Sequence, residues 1–370
     1  MLDECQDNEQ ILNRSLFEYF MDYISHNKRS AYWDNIKGIL ILLVVFAHLS
    51  LTLQQKSYLI DKAVEYIYMF HMPAFVYVSG YFGKSNKSRS FESIVKLVIL
   101  FIVFHNISGI IFGFQSLLIP MYSYWYLIAL VIWRLTTPYL TKIKYIELIM
   151  FITALLVGFF HDIDNTFAVA RIICFYPYYL FGYKLSDDSS NKLIGYSYYK
   201  RVLFGTLIFI FVCVFAFFAN YIFSYSLDSL QMFCYVGKYD VWARAALYII
   251  AFSVIYVLRM ITPDKEISLL TTFGRYSLCI FILHRLVVIW LSDFYAAIYL
   301  CFPFIITLIT SFAICMLFGN SYVEKYMNIF IDGGVLIFSG EAHKKFNFSL
   351  FVMVFIYLYF VFLAIYNYIK

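Results

Sequence analysis

Long apolar runs separated by short polar stretches make up the chain from residue 33 onward. Runs of membrane-spanning length lie at roughly 36–53, 63–82, 92–114, 122–140, 145–160, 167–185, 202–223, 242–260, 275–291, 298–318 and 347–368. Hydrocarbon forbids an open strand edge, and a barrel would show short alternating segments instead, so these runs are expected to be helices. The pattern predicts an all-α, polytopic helical membrane protein with about 10–11 transmembrane helices. The 145–160 run is short, and the stretch 328–338 (NIFIDGGVLIF) reads either as a loop or as an interfacial segment.

Residues 1–32 are polar and mixed in charge, too acidic and too long for a cleaved signal. They are expected to form a cytoplasmic N-terminal tail or a short amphipathic segment. The loops test this orientation. With the N-terminus inside, the inner loops carry Lys84, Lys87, Arg89, Lys142, Lys144, Lys184, Lys192, Lys200, Arg201, Arg259, Lys265, Lys325, Lys344 and Lys345. The outer loops carry Lys56, Lys62 and Lys238 beside Asp162, Asp164 and Asp228. That asymmetry follows the positive-inside rule and predicts a multi-pass protein of the cell membrane with a cytoplasmic N-terminus.

Composition agrees with residence in a lipid bilayer: 63% of the 370 residues are hydrophobic and only 14% are charged, against about 25% charged in soluble domains. The net charge of +5 is accounted for by the inner loops, so nucleic acid is not an expected partner. Seven cysteines show no CxxC and no metal-ligand spacing, and no metal is expected. No fixed-period repeat and no linker rich in Pro, Gly or Ser divides the chain.

Polar residues within the spans carry the candidate chemistry. Ten residues separate Lys37 from His48 in WDNIKGILILLVVFAHL. On an α-helix this is close to three turns, which puts both on one face about 16 Å apart. His71 and His284 lie mid-way along their own runs and are expected at a similar depth to His48. His105 and Asn106 lie further out. Arginines 134, 171, 244, 275 and 285 sit within or at the margins of spans. Each has a plain alternative: a mid-span histidine can simply bond a neighbouring helix, and Arg134 and Arg259 are expected to snorkel to the inner interface. Arg171 and Arg244 can snorkel at the outer side or bind an anionic ligand. Trp125 is an interfacial anchor first and a sugar-stacking platform second.

Histidine exchanges protons near neutral pH, activates a hydroxyl by taking its proton, or carries an acyl group as a nucleophile. A lysine at the inner mouth of the same face suits a phosphate-bearing cosubstrate. An activated cytosolic donor meeting an acceptor deep in the membrane is one reading. A proton-coupled glycan transporter, with the histidines as a relay, is the other.

The first span, W-D-N-I-K-G-I ending at His48, resembles acyltransferase family 3, the membrane O-acyltransferases marked by a basic residue, ten residues and a histidine. FHMPAFVYVSGYF (70–82) resembles the fucose 4-O-acetylase-like branch, and WYLIAL (125–130), FYPYYLFGY (175–183) and GRYSLCIFILH (274–284) follow family patterns in order. The resemblance implies transfer of an acyl group, most often acetyl from acetyl-CoA, to a sugar hydroxyl of a cell-surface polysaccharide or its lipid-linked precursor. It places His48 at the catalytic position and Lys37 at that of the donor-side basic residue; His71 and His284 are expected to complete the catalytic group by shaping or protonating the site, and Asp34 and Arg275 to join Lys37 on the donor side. Trp125, Arg171 and Arg244 fall on the acceptor side. Lys37 replaces the commoner arginine and so lacks its two-pronged grip on phosphate. The family core corresponds to about 33–318 of a membrane acyltransferase domain spanning 33–370, with 347–368 as an additional span. Acetyl-CoA is expected as a cosubstrate rather than a bound cofactor. Other expected partners are the glycan or lipid-linked acceptor, the bilayer and a second copy in a homodimer.

Overall fold

A computed structural model of the protein describes residues 29–53, 57–112, 119–120, 122–160, 168–224, 240–297 and 302–338. Most of the expected N-terminal tail and the 347–368 span lie outside the described residues. The described elements are α1 (Ala31–Ser50), α2 (Tyr58–Tyr68), α3 (His71–Gly83), α4 (Phe91–Phe112), α5 (Trp125–Leu140), α6 (Ile146–Leu156) and α7 (Val169–Lys184). They continue as α8 (Asp187–Gly195), α9 (Tyr198–Phe223), α10 (Val241–Ile261), α11 (Ser268–Arg275), α12 (Ser277–Ala297), α13 (Pro303–Phe318) and α14 (Ser321–Phe338). No strand occurs among the described residues.

By length and composition, Ala31–Leu53, Phe91–Ile110, Tyr198–Phe223 and Val241–Ile261 can each cross a membrane. Among the described residues, two bent pairs raise that number from 4 to 6: α11 with α12, at 82°, and α13 with α14, at 55°. Several expected spans therefore differ in shape from a straight rod. The 63–82 run is broken at Met69–Phe70, and His71 opens the second half. Pro73 explains the site of the break. It has no N–H to donate, and the break leaves it in the first turn of α3, where none is needed. The stretch left open as loop or interface, 328–338, lies within helix α14, which packs on α4 through the Lys96–Asp332 ion pair at 3.0 Å.

Helix α1 is the hub. Leu40, Ile41, Val44 and Val45 are fully buried, and α3, α11, α12 and α13 pack around it. Helix α9 is the opposite case, with Phe204, Leu207, Phe211, Phe217 and Phe218 all exposed. A helix apolar all round whose large side chains face outward is suited to hydrocarbon, not water. Polar caps mark some helix starts: Asp240 accepts from the backbone N–H groups of Trp242 and Ala243 at 2.8 and 3.1 Å, opening α10.

Helices α3 and α7 meet backbone to backbone, through a reciprocal pair of glycines. A methyl group on Gly80 would land on the carbonyl oxygen of Tyr179, and one on Gly182 on that of Tyr77. Small residues allow this closeness where lipid supplies no hydrophobic drive between helices. Gly80→Ala and Gly182→Ala should each destabilise the protein by about 1–3 kcal/mol or more. Their combination should cost less than the sum, because they disturb one contact. Gly195→Ala, at a position with nothing nearby, should leave thermal unfolding in detergent unchanged. Equal unfolding midpoints for all three single variants would contradict the close-packed pairing.

Candidate active site

The face of α1 that begins at Lys37 ends at His48 in its last turn. His48 Nδ1 lies 2.8 Å from His284 Nε2 of α12, with the two rings nearly parallel at 7°. The other nitrogen of His284, Nδ1, donates to the Ile280 carbonyl at 2.9 Å, and the ring is 0% exposed. These two contacts assign the protons. A carbonyl oxygen only accepts, so the neutral His284 ring carries its proton on Nδ1. Its Nε2 is then a lone pair and must accept from Nδ1–H of His48. What remains on His48 is a bare Nε2, held in direction by the bond behind it.

His71 follows the same rule. Its Nδ1 donates to the Ile67 carbonyl at 2.8 Å, and the Tyr68 ring meets it edge-on, with ring centres 4.7 Å apart. His71 is 1% exposed, and its Nε2 is buried with no partner among the described residues. In the neutral ring that atom is an acceptor awaiting a donor. Arg285 follows His284 directly in α12. The break between α2 and α3 makes the His71 arrangement: the Ile67 carbonyl takes the Phe70 N–H at 3.1 Å and has a second lone pair for the imidazole at the start of the new helix.

The other end of α1 is densely tied. Asp34, 2% exposed, accepts from Lys37 Nζ and from Arg29 Nε, each at 2.7 Å. Arg29 also donates to the Arg275 carbonyl at 2.8 Å, so Lys37, Asp34 and Arg275 do gather at one end. The Arg275 side chain itself points outward, towards Glu266 at 3.7 Å. Asn35 donates to the carbonyls of Pro263 and Lys265 at 3.1 and 2.8 Å and accepts from Thr271 Oγ1 at 2.6 Å. Much of the W-D-N-I-K-G motif is thus architecture: it binds α1 to the α10–α11 connection.

The remaining candidates separate. Arg171 lies over the Trp125 ring, with its Cζ 5.7 Å from the ring centre, and Trp125 packs against Phe175. Arg244 is elsewhere and does not snorkel. It is buried, with Nη1 donating to Cys174 Sγ at 2.9 Å and to the Ala154 carbonyl at 3.3 Å, and so ties α10 to α6 and α7. His105 and Asn106 are buried in α4, with Asn106 bonded to the Ile102 carbonyl at 2.6 Å. Arg259 and Arg201, which sequence places among loop charges, are both buried inside their helices. Three groups near the histidines or Trp33 receive no site role from the sequence: Arg285, Tyr68 and Arg259. Arg285 had a signal, being an arginine beside a mid-span histidine. Tyr68 had none, since one tyrosine among thirty-five is not distinctive.

A nearly coplanar, hydrogen-bonded imidazole pair with a free base nitrogen can take a proton from a hydroxyl and return it to a leaving group. Comparison with known proteins gives this site a family. The family model described as an acyltransferase domain, that of acyltransferase family 3, matches residues 30–320, which include α1 to α13 and all three histidines. A segment of 67 residues is 39% identical to nodulation protein NolL of Sinorhizobium fredii (strain NBRC 101917 / NGR234), covering 17% of this chain and 18% of NolL. No solved structure matches the chain. The match over most of the chain's length, enclosing the His48–His284 pair, makes the protein a member of acyltransferase family 3.

Proposed function

We propose that the protein is a cell-membrane O-acetyltransferase that moves acetyl from acetyl-CoA to a sugar hydroxyl of a cell-surface polysaccharide or its lipid-linked precursor. The observation that carries this reading is the chain from the Ile280 carbonyl through His284 to His48, which leaves His48 Nε2 as a base nitrogen fixed in orientation by the bond at Nδ1. The fucose 4-O-acetylase-like motif FHMPAFVYVSGYF supports a sugar hydroxyl as acceptor. The loop charges support entry of the donor from a cytoplasmic Lys37 side and approach of the glycan from the Trp125 and Arg171 side.

The steps balance on the chain's own groups. His48 Nε2 takes the proton of the sugar hydroxyl as its oxygen attacks the thioester carbonyl carbon. The imidazolium that forms keeps its Nδ1–H bond to His284. As the tetrahedral adduct collapses, the carbon–sulfur bond breaks and His48 returns the proton to the departing thiolate. His71 Nε2 accepts a hydrogen bond from a neighbouring hydroxyl and fixes the sugar's orientation. Lys37, half-buried and sharing Asp34, contributes point charge towards the donor's phosphates.

His48→Ala should abolish acyl transfer, a loss of about 10²–10⁴-fold or more, with the protein inserted at normal level. Transfer to glycan at the native rate by that variant would remove His48 from the chemistry. His284→Ala should lower kcat and alter the pH–rate profile with the donor KM unchanged, because it acts through His48; a change in donor KM alone would place it elsewhere. Lys37→Ala should raise the KM for acetyl-CoA while Lys37→Arg largely preserves it, measured by thiol release in purified protein. Purified protein that carries glycan across vesicles yet never consumes an acyl donor would overturn the enzyme reading.

A further inference from the structure

Arg259 stands in the last turn of α10 and is 9% exposed. Its Nη1 donates to the Tyr77 hydroxyl at 3.2 Å, and its Cζ lies 6.0 Å from the Trp33 ring centre. Its Nε is sealed from solvent with no acceptor, and the guanidinium pairs with no carboxylate among the described residues. The end of a helix favours a positive charge in its last turn. It does not satisfy a planar group with five donors. A buried cation in this state is costly unless something anionic completes it.

The neighbouring carboxylates are already engaged. Asp34 is shared by Arg29 and Lys37, and Asp187 is held by Lys84 at 2.5 Å. Asp264 is 3.9 Å from Arg201, another buried guanidinium whose Nε has no partner among the described residues. With the Arg275–Glu266 pair included, six cations at this end of the protein (Arg29, Lys37, Lys84, Arg201, Arg259 and Arg275) face four carboxylates (Asp34, Asp187, Asp264 and Glu266). Between several of them lies an apolar aromatic cluster. Trp33 stacks on Tyr81 with ring centres 4.3 Å apart, Lys84 covers Tyr81 at 4.1 Å, and Lys37 lies 5.1 Å from the centre of Phe82. An anion arriving here meets uncompensated charge in a medium that screens it poorly.

We propose that Arg259 is the principal phosphate contact of the acyl donor, a role for which the sequence points to Lys37, with Asp34 and Arg275 beside it. The proposal rests on the acyl-CoA reading of the site. The spacing sets the reach required: Trp33, over which Arg259 lies, precedes His48 by fifteen residues of α1, about 22 Å along the helix, so an extended arm, the thioester and the two side chains must share the span. A donor whose phosphates sit at Arg259 reaches His48 through a long flexible arm, and the pantetheine arm of coenzyme A is such a linker. Arg259 is a fork that grips two phosphate oxygens, which supplies the geometry that lysine at position 37 lacks.

The test is the affinity of purified full-length protein for free coenzyme A, by calorimetry, in phosphatidylcholine nanodiscs. Arg259→Gln should weaken binding at least tenfold, Arg259→Lys should fall between, and Gly195→Ala, at a position with nothing nearby, should bind like the wild type. Arg259→Lys keeps the test informative where Arg259→Gln fails to fold, because it retains the charge and loses only the fork. Wild-type protein that binds coenzyme A no better than either Arg259 variant overturns the assignment and leaves the acyltransferase reading standing. Wild-type protein that binds no coenzyme A overturns both. A phosphate at Arg259 can also come from a lipid headgroup, so the measurement is repeated with phosphatidylglycerol in the nanodiscs. A donor site keeps the wild-type to variant ratio in both lipids. A ratio that disappears with phosphatidylglycerol, with lipid retention depending on Arg259 in native mass spectra, assigns the arginine to lipid and sinks the proposal.

Discussion

The site depends on how closely the backbone of α11 can approach that of α1. A methyl group on Gly38 would strike the Leu270 carbonyl, and one on Gly274 would strike that of Asp34. The two helices therefore touch main chain to main chain, and Asn35 laces the seam with three side-chain hydrogen bonds. Helix α11 then turns by 82° into α12, which carries His284. Because α11 is pinned to the start of α1, α12 is delivered alongside the end of α1, and His284 arrives at His48. A hydrogen bond of 2.8 Å between residues 236 apart is the outcome of that seam and that bend.

This explains which parts of the molecule could be read from the sequence. The register of Lys37 and His48 follows from helical periodicity, and matching depth picks out His284 as a companion. The all-helical class follows from the lipid itself. Hydropathy, however, measures only how apolar a stretch is, and an apolar stretch continues smoothly across a broken helix. The interruption at Met69–Phe70 and the sharp turn at Tyr276 leave no trace in it. Pro73 hinted at the first. Nothing hinted at the second, because the turn is imposed by what α11 packs against.

Charges near helix ends were misread for a related reason. Counting Arg201 and Arg259 as loop charges orients the chain, but the count holds no information on whether a side chain points outward or inward. Both point inward. Arg244 likewise spends its charge on a thiol and a carbonyl that join three helices. Conversely, tyrosine is so common in this chain, with thirty-five copies, that only three-dimensional contact with Trp33 distinguishes Tyr81 from the rest.

The direction of the histidine bonds has one further consequence. A proton placed on His48 can shift through Nδ1 to His284, but the next atom in line is the Ile280 carbonyl oxygen, which cannot take and pass on a proton. The series is a cul-de-sac. It lends and recovers a charge locally, and it offers no wire from one side of the bilayer to the other. Ionisable groups set deep in a membrane endanger the proton gradient wherever they form a continuous row. Ending the row on a helix carbonyl lets the protein keep a base in the hydrocarbon layer without a leak.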